Sequence, residues 1–283
     1  MAMLERGRQV GLDELRQRAE WIRLRTVDLI EIAGSGHYTS VFSCAELFAA
    51  LYYRALRIDP AEPRHPDRDR FVMGKGHAAI GLYPCLADLG FFPEAWLDTY
   101  TRLGSPLGDH PDMRKVPGID FSSGSIGHNL SVAVGMAYAA RLSGRDYRTV
   151  ALLGDGEMNE GQVWEALMAG AHYRLGNLVA IIDLNTMGLD GPVEEVMSIE
   201  PIGAKLEAFG WRTVEFDGHD LAAVVATLDA LPPTDSVQPT CLLARTLKGK
   251  GVSFMEGSRD WHLGYLGEAD KAVVIAEIKE RMA

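Results

Sequence analysis

Two short stretches carry the residue types best suited to chemistry. The first is Gly154-Asp155-Gly156-Glu157-Met158-Asn159-Glu160-Gly161, and the second is Asp183-Leu184-Asn185-Thr186-Met187-Gly188-Leu189-Asp190-Gly191. Asp155 offers a hard anionic oxygen and Asn185 an amide oxygen, and a backbone carbonyl just past Asn185 could complete one face of an octahedron. Oxygen donors of this kind suit Mg²⁺ or Ca²⁺, and Mg²⁺ usually takes its remaining ligands from substrate phosphates and water. Gly156 lets a backbone approach closely, and a helix starting nearby would offer free N–H groups to an anion. The pair reads as a cradle for a diphosphate and its metal. It is not a Walker loop, which needs Gly-Lys-Ser/Thr, nor a dinucleotide fingerprint, because Gly-x-Gly-x-x-Gly is absent. Alone, Gly154-Asp155-Gly156 could equally be a tight turn. The Asp-x-Asn after the next strand favours a ligand site.

The elements around these residues would bring them together. Residues 148–153 form an apolar, β-branched run that reads as a buried parallel strand. From Glu160 to Arg174 the pattern is helical, with Val163, Leu167, Ala171 and Leu175 at four-residue steps. Residues 177–182 read as a second strand. A right-handed βαβ crossover puts both strand ends at one edge, and ligands of open α/β sheets bind at that edge.

From Gly154 to Asn185 the sequence resembles the thiamine diphosphate motif. The longer pattern Gly-Asp-Gly-Glu-x-Asn-Glu-Gly-Gln-x-Trp-Glu-Ala, with Asp-x-Asn-x-x-x-x-Asp-Gly, resembles transketolases. Among them it resembles the N-terminal subunit of enzymes split over two chains. The similarity runs from about residue 14 to 266. It implies thiamine diphosphate and Mg²⁺, with Ca²⁺ or Mn²⁺ able to substitute. Gly154, Asp155, Gly156, Glu157 and Asn185 would bind the cofactor, and Asp155, Asn185 and the Met187 carbonyl would hold the metal. Gly124-Ser125-Ile126-Gly127 resembles the segment whose backbone covers the aminopyrimidine.

The resemblance also assigns four histidines. His37 follows Gly34-Ser35-Gly36 as in Ser-Gly-His and would lie beside cofactor and substrate, although alone it could cap a helix or face solvent. His77, in Gly74-Lys75-Gly76-His77-Ala78, would contact substrate and diphosphate, or merely begin a helix. His110, in Ser105-Pro106-Leu107-Gly108-Asp109-His110-Pro111, would bind the hydroxyl next to the donor carbonyl; Gly108-Asp109 departs from the usual residues. Trp261-His262 resembles the Trp-His of split transketolases, where the His approaches diphosphate and donor. Glu160 and Glu165 match carboxylates of a network between two active sites, and read otherwise as favourable charge near a helix N-terminus. Lys248-Gly249-Lys250-Gly251 could be a cationic phosphate neighbour or a solvated turn, the turn being the preferred reading for Lys250.

Two stretches depart from the family: Tyr38-Thr39-Ser40-Val41-Phe42, and His128-Asn129 where Gln-Gly is common. If they line the reactive face, Tyr38 and Phe42 add bulk and His128 a titratable donor, suggesting a donor or acceptor other than the common pentose phosphates. If they point into packing, they carry no such meaning. His172 matches nothing in the family and reads as a helix-surface or interface residue.

The rest of the chain sets bounds. With 283 residues it can bury roughly 75% of its unfolded surface as one large domain. The expected fold class is α/β, a parallel β-sheet flanked by helices on both faces, over residues 1–283. A net charge of −11 argues against nucleic acid as a partner. No run reaches the ~18 apolar residues of a membrane span, and Met1 to Val10 lacks a signal-peptide core. Cys44, Cys85 and Cys241 lack metal spacing and read as buried thiols of a reducing cytoplasm. Helices are expected at Leu12–Ala33, from Val41 or Ser43 to Ala55, after the sharp turn Gly74–Ala78 to near Gly90, and from His219 to Leu231. Strands are expected at 70–73, 211–216 and 239–244, and residues 103–127 as a long irregular stretch.

In transketolases the Glu that acts on the cofactor's pyrimidine nitrogen lies in a second domain, and nothing after residue 266 is long enough to be one. The resemblance therefore implies a partner, a C-terminal subunit carrying the pyrimidine-binding domain and that Glu, in an α2β2 heterotetramer. The implied reaction moves a two-carbon ketol unit from a ketose, free or phosphorylated, to an aldehyde. Two alternatives share the cofactor motif: the α subunit of a 2-oxo acid dehydrogenase, and a non-catalytic regulatory paralogue. The Asp190-Gly191 after Asn185 and the four histidine contexts argue against the first, and the intact Asp155, Asn185 and histidines against the second.

Overall fold

The computed structural model describes residues 10 to 282. Met1 to Gln9 lies outside the described residues, as does Ala283. Five strands, β1 (Arg70–Met73), β2 (Thr149–Gly154), β3 (Leu178–Leu184), β4 (Arg212–Asp217) and β5 (Thr240–Arg245), form one sheet ordered β1-β2-β3-β5-β4. Every neighbouring pair is parallel. The helices are α1 (Leu12–Ala33), α2 (Tyr38–Phe42), α3 (Ala45–Ala50), α4 (Ala79–Asp88), α5 (Asn129–Leu142), α6 (Gly161–His172), α7 (Val193–Met197), α8 (Ile202–Ala208), α9 (Leu221–Asp229) and α10 (Glu268–Met282).

Alternate side chains of a strand face opposite sides of its sheet, and both sides here are apolar. In β3, Val179 and Ile181 join one core while Ala180, Ile182 and Leu184 join the other. The first core takes its helical share from α1, α3, α4, α9 and α10, the second from α5, α6 and α8. Two-sided burial is why these strands read as continuous hydrophobic runs. The forward crossovers through α6 and α8 lie on one face and the return through α9 on the other, as a single crossover hand requires. The expected α/β fold with helices on both faces is therefore present. Among the described residues, no helix is long and apolar enough to cross a membrane.

One expected helix differs. The helix from Val41 or Ser43 to Ala55 is instead α2, α3 and a π turn over Leu51–Ala55. Every residue of α2 and α3 is buried, so no polar face marks their limits. At the break, Ser43 Oγ donates to distant Asp183 at 2.7 Å and Cys44 Sγ to the Ser40 carbonyl at 3.3 Å. The helix expected from Glu160 to Arg174 is present as α6, preceded by extended backbone at Glu160 and a 3₁₀ turn over Gly156–Asn159. The irregular stretch 103–127 contains no helix or strand.

Candidate active site

Because the sheet is parallel, the segments after its strands meet at one edge. Gly74 follows β1, Asp155 follows β2, Asn185 follows β3, and Thr246 to Lys248 follow β5. They surround a cavity of about 320 Å³ lined by Asp155, Asn185, Met187, Lys75, Lys248, His77, His262 and Ser40, among others. A wider hollow of about 510 Å³ lies between residues 62–68 and 113–119, away from these strand ends, and exposed Arg64, Arg114 and Lys115 are among its lining.

The floor of the cavity is a network of oxygen atoms. Asp155 Oδ1 accepts the Gly156 N–H at 2.8 Å, and Oδ2 accepts the Thr186 N–H. Asn185 Nδ2 donates to Asp183 Oδ2 at 3.1 Å, while Asn185 Oδ1 accepts the Met187 N–H at 3.2 Å. That pairing fixes which way the amide points. Fully buried Asp183 is the hub, accepting also from Lys75, Ser43 and Thr246. Burial opposes the Asp183 charge, but Lys75 outweighs it and holds the carboxyl below its usual range. Asp155 fares differently: burial, then the charge of Asp183, raises its pKa to about 6.

Cations face this floor. Lys248 is buried, and its Nζ donates to the Met187 carbonyl at 3.1 Å and lies 2.9 Å from His262 Nδ1. Burial, then Lys75, lowers the Lys248 pKa to about 8. Lys250 pairs instead with Glu256 near the surface. Glu157 ties the turns together, accepting from Gly127 N at 2.8 Å and Gly154 N at 3.1 Å. A Cβ at Gly74 would stand 2.4 Å from Glu157 Oε2, so only glycine fits there.

Three of the four expected histidines form a cluster. Ring centroids lie 4.9 Å apart for His37 and His77, 5.4 Å for His37 and His262, and 5.3 Å for His77 and His262. Burial, then Lys75, lowers the His77 pKa well below the ordinary imidazole value. Burial, then Lys248, brings His262 to about 3. Both rings are therefore neutral near pH 7, each with one donor and one acceptor nitrogen. His110 joins through Asp109, whose Oδ2 lies 3.2 Å from His110 Nδ1 and whose Oδ1 lies 3.7 Å from His37 Nδ1. His110, then His37, holds the Asp109 carboxyl far below its usual range.

Ile126 lines the cavity, with Gly124 and Ser125 exposed beside it in sequence. Glu160 and Glu165 do not reach the cavity; they are exposed at the start of α6. Exposed His128 contacts Gln162 on α6, and His172 packs on Tyr173. Tyr38 and Phe42 are buried in the core, so the expectation that they add bulk at the reactive face is corrected. The Tyr38 hydroxyl accepts the Leu266 N–H at 3.3 Å and its ring meets Phe42 and Trp261, which clasps the chain near His262. Lys75, Asp183 and Asp109 are the groups that sequence reasoning left without a role.

Comparison with known proteins agrees with this geometry. The family described as transketolase, thiamine diphosphate binding domain, matches residues 15–282. The chain is similar to one subunit of the apulose-4-phosphate transketolase of Phocaeicola vulgatus, 41% identical over 271 residues, covering 96% of each. It is 40% identical to a 6-deoxy-6-sulfo-D-fructose transketolase subunit of a Clostridium species, covering 95% of this chain and 98% of that protein. The crystal structure of transketolase from Campylobacter jejuni superposes with a TM-score of 0.89 at 28% identity, over 96% of this chain but 43% of that one. Human transketolase is 38% identical, and the chain spans 40% of its length. The chain belongs to the transketolase family through its thiamine diphosphate binding domain, and along its length it is similar to members of that family that are themselves single subunits of a transketolase.

Proposed function

We propose that this chain is the diphosphate- and metal-binding subunit of a two-component, thiamine diphosphate-dependent transketolase. The observation that carries the proposal is one cavity with two linings, an oxygen-donor floor and a histidine cluster at its mouth. The donor set fits Mg²⁺: one carboxylate (Asp155), one amide oxygen (Asn185) and one carbonyl (Met187), all hard oxygens. The Met187 carbonyl already accepts from a cation, Lys248. Among the described residues no three His, Cys, Asp or Glu side chains form a metal cluster, and this donor set needs only one of them. Ca²⁺ or Mn²⁺ would find the same ligands.

When bound, thiamine diphosphate would supply an electron sink for the bond beside the donor carbonyl. The chain's own residues would bind and orient. Lys248, His77 and His262 would face the diphosphate, and Gly154, Gly156 and Glu157 would shape its turn. Gly124, Ser125 and Ile126 would lie over the pyrimidine. His37, His77, His110 and His262 would pair with substrate hydroxyls and move protons at the reacting end of the cavity.

A partner subunit would supply the pyrimidine-side domain and its Glu. Exposed apolar side chains at and near the cavity (Ile126, Leu189, Val196, Met197 and Leu263) support a covering partner. Exposed Glu160 and Glu165 would then meet their counterparts across an α2β2 assembly. Free, buried Cys44, Cys85 and Cys241 suit a cytoplasmic setting. The donor would be a ketose, free or phosphorylated, and the acceptor an aldehyde. The test is ketol transfer from a pentulose phosphate to an aldopentose phosphate by the reconstituted pair. Turnover dependent on thiamine diphosphate and Mg²⁺ is expected. Failure with every ketose, beside oxidative decarboxylation of a 2-oxo acid, would overturn the reading.

A further inference from the structure

His219 lies in the turn between β4 and α9, outside the cavity, and the chemistry proposed above does not use it. Both of its ring nitrogens are nonetheless engaged. Nε2 accepts the Leu247 backbone N–H at 2.9 Å, and Nδ1 lies 3.1 Å from Glu46 Oε2. A backbone N–H can only donate, so Nε2 carries the lone pair and Nδ1 the hydrogen, which donates to Glu46. Arg23 holds Glu46 in turn, donating to its two oxygens at 2.7 and 2.8 Å and to the Phe42 carbonyl at 2.8 Å. Arg23 also pairs with Glu20, and Glu20 with Arg281. One imidazole is thereby anchored to α1, α2, α3 and α10.

The other end of this chain of contacts reaches the cavity. Strand β5 ends at Arg245, so the turn that carries Lys248 lies beyond the sheet ladder. Its backbone is held at Thr246 N to the Leu184 carbonyl at 3.2 Å, at Leu247 N to His219 at 2.9 Å, at the Lys248 carbonyl by Gly257 N at 2.8 Å, and at Gly249 N to the Thr39 carbonyl at 3.4 Å. Among these bonds the one to His219 is the one made by a side chain, and it stands next to Lys248, whose Nζ meets Met187 and His262 in the cavity.

We propose that His219 is a positioning residue for diphosphate binding, fixing the Leu247 amide and through it the arm of Lys248. The inference rests on the reading of the cavity as a thiamine diphosphate site. Amide side chains separate the two ring nitrogens. In His219→Gln the amide oxygen can stand where Nε2 stands, keeping an acceptor for Leu247 and losing the contact with Glu46. In His219→Asn the amide nitrogen can stand where Nδ1 stands, keeping Glu46 and leaving Leu247 without its acceptor.

The experiment uses the complex of this chain with its partner subunit. It reads hydrogen exchange at the Leu247 amide and calorimetric affinity for thiamine diphosphate with Mg²⁺. His219→Gln is expected to keep slow exchange and affinity within about threefold of wild type, and His219→Asn to speed exchange and weaken affinity by about tenfold or more. The reverse pattern, or equal losses in both, would overturn the role and leave His219 as a support for Glu46. A wild-type complex that binds no thiamine diphosphate would overturn the cavity reading and this inference together. Wild-type binding with either contrary pattern would overturn only the part given to His219.

Discussion

Asp155 is a carboxylate whose surroundings disfavour its charge, since burial and Asp183 raise its pKa to about 6. A divalent cation beside it would reverse that balance. Losing a group that merely supports a metal ligand costs about 10–100-fold, so losing a ligand should cost at least that. Asp155→Ala and Asn185→Ala are each expected to weaken Mg²⁺-dependent thiamine diphosphate binding to that extent with far-UV circular dichroism unchanged. Wild-type affinity in calorimetry for both variants would remove the metal assignment. Asp109 calls for a different experiment, because it touches His110 and His37 but does not line the cavity. Asp109→Asn keeps the shape and removes the charge. A contact to a charged group contributes about 1.5 kcal/mol, or roughly tenfold. Steady-state kinetics should show kcat/KM for the ketose falling by that factor while cofactor affinity stays put. In the sequence, the motif singled out Asp155 and Asn185, and the family resemblance assigned Met187 and the four histidines, of which His77 and His262 line the cavity. Neither signalled Lys75, whose partner Asp183 lies 108 residues further on.

The elements were legible where burial left a periodic mark. All five strands fall within one or two residues of the expected limits: four are runs buried on both faces, and the edge strand β4 alternates Val214 and Phe216 with polar residues. The segment after His37 left no such mark, since α2 and α3 are buried all round and Ser43 at their break bonds Asp183, far away in the chain. The same crowding gives a stability prediction. A Cβ at Gly81 of α4 would stand 2.4 Å from Val41 Cγ1 and 3.1 Å from Val41 Cγ2, with both residues in the packed interior. Gly81→Ala is expected to destabilise the chain by about 1–3 kcal/mol through overpacking. The chemical denaturation midpoint reads the change, and an unshifted midpoint would mean that α4 and α2 can separate freely.

On the proposed reading, the whole molecule would present half of a catalytic site. Its cavity opens beside exposed apolar side chains from Leu189 to Met197, and the chain spans 40–43% of the length of the longer transketolases it resembles. An interface of the obligate kind typically buries about 2,000 Å² or more. This chain is therefore expected to bind a partner subunit tightly and to be inactive without it. The most direct measurement is ketol transfer, with thiamine diphosphate and Mg²⁺ present, by the purified chain, by its partner and by their mixture. The account predicts turnover in the mixture alone, abolished when the chain carries Asp155→Ala. Turnover of any ketose by this chain without its partner would contradict it.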